Sequence, residues 1–168
     1  IRDSFSKASV EGSDSETWLN SILANKVPSK PGRIALCHML SLNGGVRAEF
    51  TVYRKSRNSF YLVFSGATER HDWDYLNKLL PKHGSINIQN ITTQKGVFVI
   101  AGPKSRSLLQ KLTDTLLDNE HFPWLTGKTV NIGYGIADVL LSLIHISEHT
   151  RPLYSSSAVF CLKKKIYL

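Results

Sequence analysis

Cysteine is scarce. The two in 168 residues, Cys37 and Cys161, are too few for a disulfide framework or a closed zinc site, and they fit a reducing compartment. No apolar run approaches the roughly 18 residues that cross a bilayer. The opening IRDSFSKASV has no hydrophobic secretion core and no initiator Met, so it reads as the interior of a longer protein. There is no internal repeat and no Gly-rich phosphate loop. Gly133 and Gly135 lack the flanking pattern of a dinucleotide fingerprint. Acidic residues are outnumbered, 13 against 21 Lys and Arg, for a formal net charge of +8. Apart from Arg151 and Lys163–Lys165 near the C-terminus, the cations are scattered singly, not gathered in a stripe with interleaved aromatics, which argues against a nucleic-acid partner. The mild positive field still favours an anionic ligand.

What is present is globular. Hydrophobic content is 42% and charged content 20%. The length fits one domain by the usual prior of roughly 100–200 residues. SKASVE reads as a short strand closed by Gly12. Asp14 can cap a helix whose apolar residues Trp18, Leu19, Ile22 and Leu23 share one face. KVPSKPG is a loop, because two prolines and a glycine forbid either ladder. Two β-rich runs then flank Asn43-Gly44-Gly45, a strong hairpin signal. In the second run Val46, Ala48, Phe50 and Val52 share one face, and Arg47, Glu49, Thr51 and Tyr53 the other.

SFYLVF is a third strand, buried on both faces. ERHDWDYLNKLL is an amphipathic helix stopped by Pro81, with Trp73, Leu76, Leu79 and Leu80 inward. SINIQNI and GVFVIAG are strands. Pro103 sits just inside the next helix, KSRSLLQKL. TVNIGYGIADVL supplies one or two further strands. This order predicts an α+β fold with a largely antiparallel sheet and packed helices.

Few residues carry obvious chemistry. His71 and Asp72 are neighbours on a helix and should not face each other, so the pair reads as surface. Cys37 and His38 are neighbours on a strand and point to opposite faces, which makes a dyad improbable. His83 and His121 lie in loops with no partner spacing, so no metal site is expected. Glu49 has three readings from pattern alone: a solvent-facing strand residue, a partner of Arg47 or Arg54, or a carboxylate held for a ligand.

The tail differs from the rest. Residues 141–151, LSLIHISEHTR, look like the conceptual translation of a transposon-end adapter used in sequencing libraries, apart from His149. The remainder has no clear period and ends in a Lys triplet. The expectation is a domain over residues 1–140 followed by a non-native tail over 141–168. In that case Cys161 and Lys163–Lys165 carry no function.

GRIALCHMLSLNGGVRAEFTVYR resembles the folate-binding module shared by the glycine-cleavage T-protein and the C-terminal halves of dimethylglycine and sarcosine dehydrogenases. SFSKASVEGSDSETWLNSILANKV resembles that family's first strand and helix. Gly102, Pro103, Ser105, Arg106 and Leu109 match its GP-x-[SA]-R-x-x-L segment, and HFPWLTGKTVNIGYG fits the stretch after it. The resemblance is nearer the dehydrogenase branch. It implies tetrahydrofolate as cofactor. It places Glu49, where the family usually has Asp, beside the pterin as the catalytic carboxylate that orients the folate and activates its nitrogen. Tyr53 matches a folate-contact position, and Met39 and Leu40 line the apolar wall of the pterin.

A family segment that carries a second acidic folate contact is absent after Val139. The family's C-terminal barrel is absent too, as is any N-terminal flavin domain, which alone would bind FAD. The resemblance therefore implies half a folate pocket. The expected partners are the small-molecule folate and the missing flavin domain, with no nucleic acid and no membrane. In the complete protein the folate domain would capture, as methylene-tetrahydrofolate, the carbon released by oxidative demethylation of dimethylglycine or sarcosine. The isolated chain is expected to have no dehydrogenase activity. The expected location is the mitochondrial matrix or cytoplasm. Two alternatives are a non-catalytic regulatory protein of the same fold, like the phosphatase regulatory subunit, and a free T-protein with a lipoyl-protein partner.

Overall fold

The computed structural model describes residues 5–82 and 84–142, together with the backbone of residues 158–164. The chain divides into two compact units, residues 1–95 and 96–168. The division falls just inside the start of the second of two strands that follow each other in the sequence. The first of them ends one sheet and the second belongs to another.

The first unit contains β1 (Phe5–Glu11), α1 (Ser15–Ile22), β2 (Ile34–Leu40), β3 (Val46–Ser56), β4 (Ser59–Ser65), α2 (Glu69–Lys78) and β5 (Asn87–Asn90). Its five-stranded sheet has the order β2-β3-β4-β1-β5. β1 runs antiparallel to both β4 and β5, and β3 antiparallel to both β2 and β4. Strand alternation sorts the side chains. Ala48, Phe50 and Val52 of β3 join Cys37 and Met39 of β2 in one core, closed by Trp18 and Leu19 of α1 and Leu76 of α2. Burying each large apolar side chain contributes about 1.5–3 kcal/mol. Trp18 adds a directional tie, because its indole Nε1–H donates to the Leu79 carbonyl at the end of α2, at 2.8 Å. Val46, expected on the same face, is instead 65% exposed at the hairpin end.

The loop predicted at KVPSKPG is held from the sheet. Arg54 is 4% exposed, and its guanidinium donates to the carbonyls of Pro28, Ser29, Ser56 and Arg57. It also pairs with Glu16 at 2.7 Å. A planar five-donor group suits such a convergence of carbonyls, and lysine does not.

The second unit contains β6 (Lys95–Ile100), α3 (Ser105–Gln110), β7 (Thr126–Ile132), β8 (Gly135–Ser142) and β9 (Ala158–Lys164), with sheet order β6-β9-β8-β7. Leu109, Leu117, Phe122, Val130, Val139 and Leu141 form its core. Pro103 does not begin the helix as predicted. Lys104 is the N-cap residue, and Pro103 occupies the turn closed by Ser105 N–H on the Gly102 carbonyl. A fixed φ suits that turn position as well as it suits a first helical residue. Arg106 of the GP-x-S-R segment donates to the carbonyls of Leu117 and Phe122, which explains a basic residue there.

Leu141 and Ser142 continue β8, and Leu125 N–H donates to the Leu141 carbonyl at 3.0 Å. Most of the expected non-native tail, residues 143–157 and 165–168, lies outside the described residues. The backbone of β9 pairs antiparallel with β8.

Candidate functional site

The β2–β3 hairpin positions the site. Ser41 N–H donates to the Gly45 carbonyl at 2.8 Å and Gly44 N–H to the Ser41 carbonyl at 2.9 Å. Gly44 has φ +79°, the left-handed value that the Asn-Gly-Gly signal anticipates. The turn sets a register in which His38 lies directly opposite Glu49, Leu36 opposite Thr51 and Ile34 opposite Tyr53. All six residues share the sheet face away from α1 and α2.

Glu49 is half-exposed, and its Oε2 lies 3.2 Å from His38 Nε2. Neither arginine proposed as its partner reaches it. A register shift between Met39 and Leu40 leaves Arg47 without a strand partner. This bulge re-aims Arg47 toward α2, where Nη2 meets His71 Nε2 at 2.8 Å and the guanidinium lies 3.8 Å from the Tyr75 ring centroid. Arg54 is committed to Glu16 and the loop carbonyls.

His38 is held from behind. The Oδ1 of Asn25, in the loop after α1, lies 3.3 Å from His38 Nδ1 and also accepts the His38 backbone N–H at 3.3 Å. Ala24 N–H donates to the His38 carbonyl at 2.8 Å. The arrangement is a chain, Asn25–His38–Glu49, that ends in a carboxylate. Among the described residues only Oε2 of Glu49 is engaged, by His38, which leaves Oε1 available.

The remaining expected residues divide. Tyr53 lies on the Glu49 face, is buried, and has its ring centroid 6.1 Å from that of Tyr61. Leu40 is exposed beside the bulge. Met39 is 1% exposed and lies in the helix-covered core, on the opposite face of the sheet from Glu49. Adjacent strand residues alternate, so Met39 and Leu40 cannot share a wall.

Two other expectations are also corrected. His71 and Asp72 do meet, with Nδ1 to Oδ1 at 3.1 Å. Asp72 is drawn inward by the Thr68 hydroxyl, which donates to Oδ2, and this leaves Oδ1 within reach of the neighbouring ring. His121 has a partner, Asp118, at 2.8 Å. The backbone and ring of His121 hold the Asp118 carboxyl below its ordinary range. His83 lies outside the described residues.

Cys37 and His38 do point apart. Burial pushes the Cys37 thiol up to about 11, which leaves it a poor nucleophile. Sequence reasoning also passed over Asp138 of β8, a buried carboxylate that accepts the Thr129 hydroxyl at 2.6 Å. The described residues contain no group of three or more His, Cys, Asp or Glu placed to hold a metal ion.

Comparison with known proteins bears on this arrangement. The family model described as GCVT N-terminal domain matches residues 2–144. The mitochondrial dimethylglycine dehydrogenase of Mus musculus is 37% identical over 144 residues, 85% of this chain and 16% of that protein. The chain therefore spans about one-sixth of the length of that relative. The mitochondrial pyruvate dehydrogenase phosphatase regulatory subunit of Mus musculus is 26% identical over 153 residues, 90% of this chain and 17% of that protein. The crystal structure of glycine cleavage system aminomethyltransferase T from Bartonella henselae superposes with a TM-score of 0.69 at 16% identity, over 94% of this chain and 39% of that one. The α+β architecture is thus that of the aminomethyltransferase fold, present in part. With the family model covering both units, and the His38–Glu49 hairpin inside the matched residues, the chain belongs to the GCVT N-terminal domain family.

Proposed function

We propose that this chain is part of a tetrahydrofolate-binding domain, and that Glu49 is its ligand-facing carboxylate. The carrying observation is a half-exposed carboxylate fixed at one oxygen and open at the other, next to an exposed apolar side chain, Leu40. A carboxylate acceptor near exposed apolar surface fits a reduced pterin, which presents N–H donors along its edge. Tetrahydrofolate, when bound, supplies the nucleophilic nitrogen that takes up a one-carbon unit. Glu49 accepts hydrogen bonds from the ring, orients it, and can take up a proton as that nitrogen reacts. Leu40 supplies exposed apolar surface, and the buried Tyr53 packs beneath the same side of the hairpin against Tyr61.

In the complete protein a flavin domain would oxidise an N-methylated amine, dimethylglycine or sarcosine, and this domain would capture the released carbon. The mitochondrial matrix is the proposed location. Residues 1–140 are the proposed native portion of the domain. Retention of a carboxylate at Glu49 favours this reading over a non-catalytic regulatory one.

Calorimetric titration of the chain with tetrahydrofolate tests the site, with Glu49→Gln alongside. The substitution removes a charged acceptor at nearly constant volume, and binding should weaken roughly tenfold. Equal affinity in both proteins would overturn the role given to Glu49.

A further inference from the structure

The protons in the Asn25–His38–Glu49 chain can be counted. The backbone N–H of His38 can only donate, and the Asn25 side-chain atom facing it lies at 3.3 Å. That atom must therefore be the amide oxygen, which removes the usual ambiguity of an Asn side chain. The same oxygen lies 3.3 Å from His38 Nδ1, so Nδ1 must carry a hydrogen to make this contact. A neutral imidazole has one N–H. With Nδ1 protonated, Nε2 of the neutral ring is a bare acceptor, and it would face the acceptor Oε2 of Glu49 at 3.2 Å. Two lone pairs at that separation repel. The contact is favourable only with a proton between them.

We infer that His38 and Glu49 jointly hold one proton, on the line from Nε2 to Oε2, and that Asn25 enforces this by fixing the ring tautomer. His38 is then the positioning residue of the site. It fixes Oε2, directs Oε1 outward, and makes the pair neutral instead of presenting an isolated anion. The surrounding cations do not replace this arrangement, since Arg47 is turned to His71 and Arg54 to Glu16. The longer Glu side chain gains a purpose here, because the cross-strand neighbour of the acid is a ring it must reach. The consequence for ligand binding rests on the folate reading above. The proton count does not.

Nitrogen-15 NMR of the histidine rings in the ligand-free chain, at neutral pH, decides the count. In the wild type, His38 Nδ1 should carry a hydrogen, and Nε2 should show a proton shared with the carboxyl group. In Glu49→Gln the amide N–H donates to Nε2, so Nε2 should move to the range of an unprotonated nitrogen while Nδ1 keeps its hydrogen. A bare Nδ1 with the hydrogen on Nε2 in the wild type would overturn the inference, as would an Nε2 signal that Glu49→Gln leaves unmoved.

The positioning role is read from tetrahydrofolate affinity. His38→Ala should bind about fivefold more weakly, and His38→Gln, whose amide nitrogen can sit near the Nε2 position, should stay within about twofold of wild type. Wild-type affinity in His38→Ala would refute positioning. Failure of the wild type itself to bind tetrahydrofolate would count against the proposed function, with the NMR result still deciding the proton count.

Discussion

At the residue scale, the site depends on which neighbour an acid finds. Glu49 could be singled out from the sequence, but its partner was sought among arginines on the strand rather than across the hairpin. The information was present. Once the Asn-Gly-Gly turn fixes the register, His38 and Glu49 lie opposite each other. The bulge that turns Arg47 away left no such trace, because it depends on α2 offering His71 and Tyr75 as an alternative. Alternation alone puts Met39 and Leu40 on opposite faces of β2, and the burial of Met39 follows from it.

Cys37 gives a separate residue-scale prediction. Its thiol is raised from 9.0 to about 11 by burial, so above pH 9 the unfolded chain releases a proton that the folded chain retains. Stability contributed by the neutral thiol is complete below pH 9 and is lost as pH rises toward 11, by about 2–3 kcal/mol in all. Denaturant unfolding at pH 7.5 and pH 10.5 should show wild type losing stability relative to Cys37→Ala. Parallel losses in the two proteins would contradict the burial argument.

At the scale of elements, most strands and helices were legible because their signals are local. The periods of α1 and α2, the alternation of β3 and the turn glycines each declare one element. Pro103 shows the limit, since one fixed φ serves a turn and a helix start equally well, and only the hydrogen bond from Ser105 to Gly102 distinguishes them. The loop before β2 is the least obvious element energetically, because nothing in KVPSKPG announces that a strand arginine will hold it. Arg54→Leu should leave the Pro28 and Ser29 carbonyls without their donor and destabilise the chain by about 3 kcal/mol, read as a lowered denaturation midpoint. A change under about 0.5 kcal/mol, the range of ordinary surface substitutions, would show that the loop is held by other means.

At the scale of the whole molecule, the residues matched by one family model fall into two compact units. Nothing in SINIQNI and GVFVIAG states that consecutive strands will enter different sheets. That assignment follows from long-range pairing, β5 with β1 in one unit and β6 with β9 in the other. Family membership, in contrast, was legible, because hairpin, helix and GP-x-S-R segments occur in a fixed order along a matched region of residues 2–144. The central claim is that tetrahydrofolate meets the chain on the hairpin face that carries Glu49. Backbone amide NMR during titration with tetrahydrofolate tests it most directly. Saturable shifts should concentrate at residues 38–40 and 49–53, and Glu49→Gln should diminish them. Shifts confined to other parts of the chain, or none at concentrations that saturate known folate binders, would contradict the account.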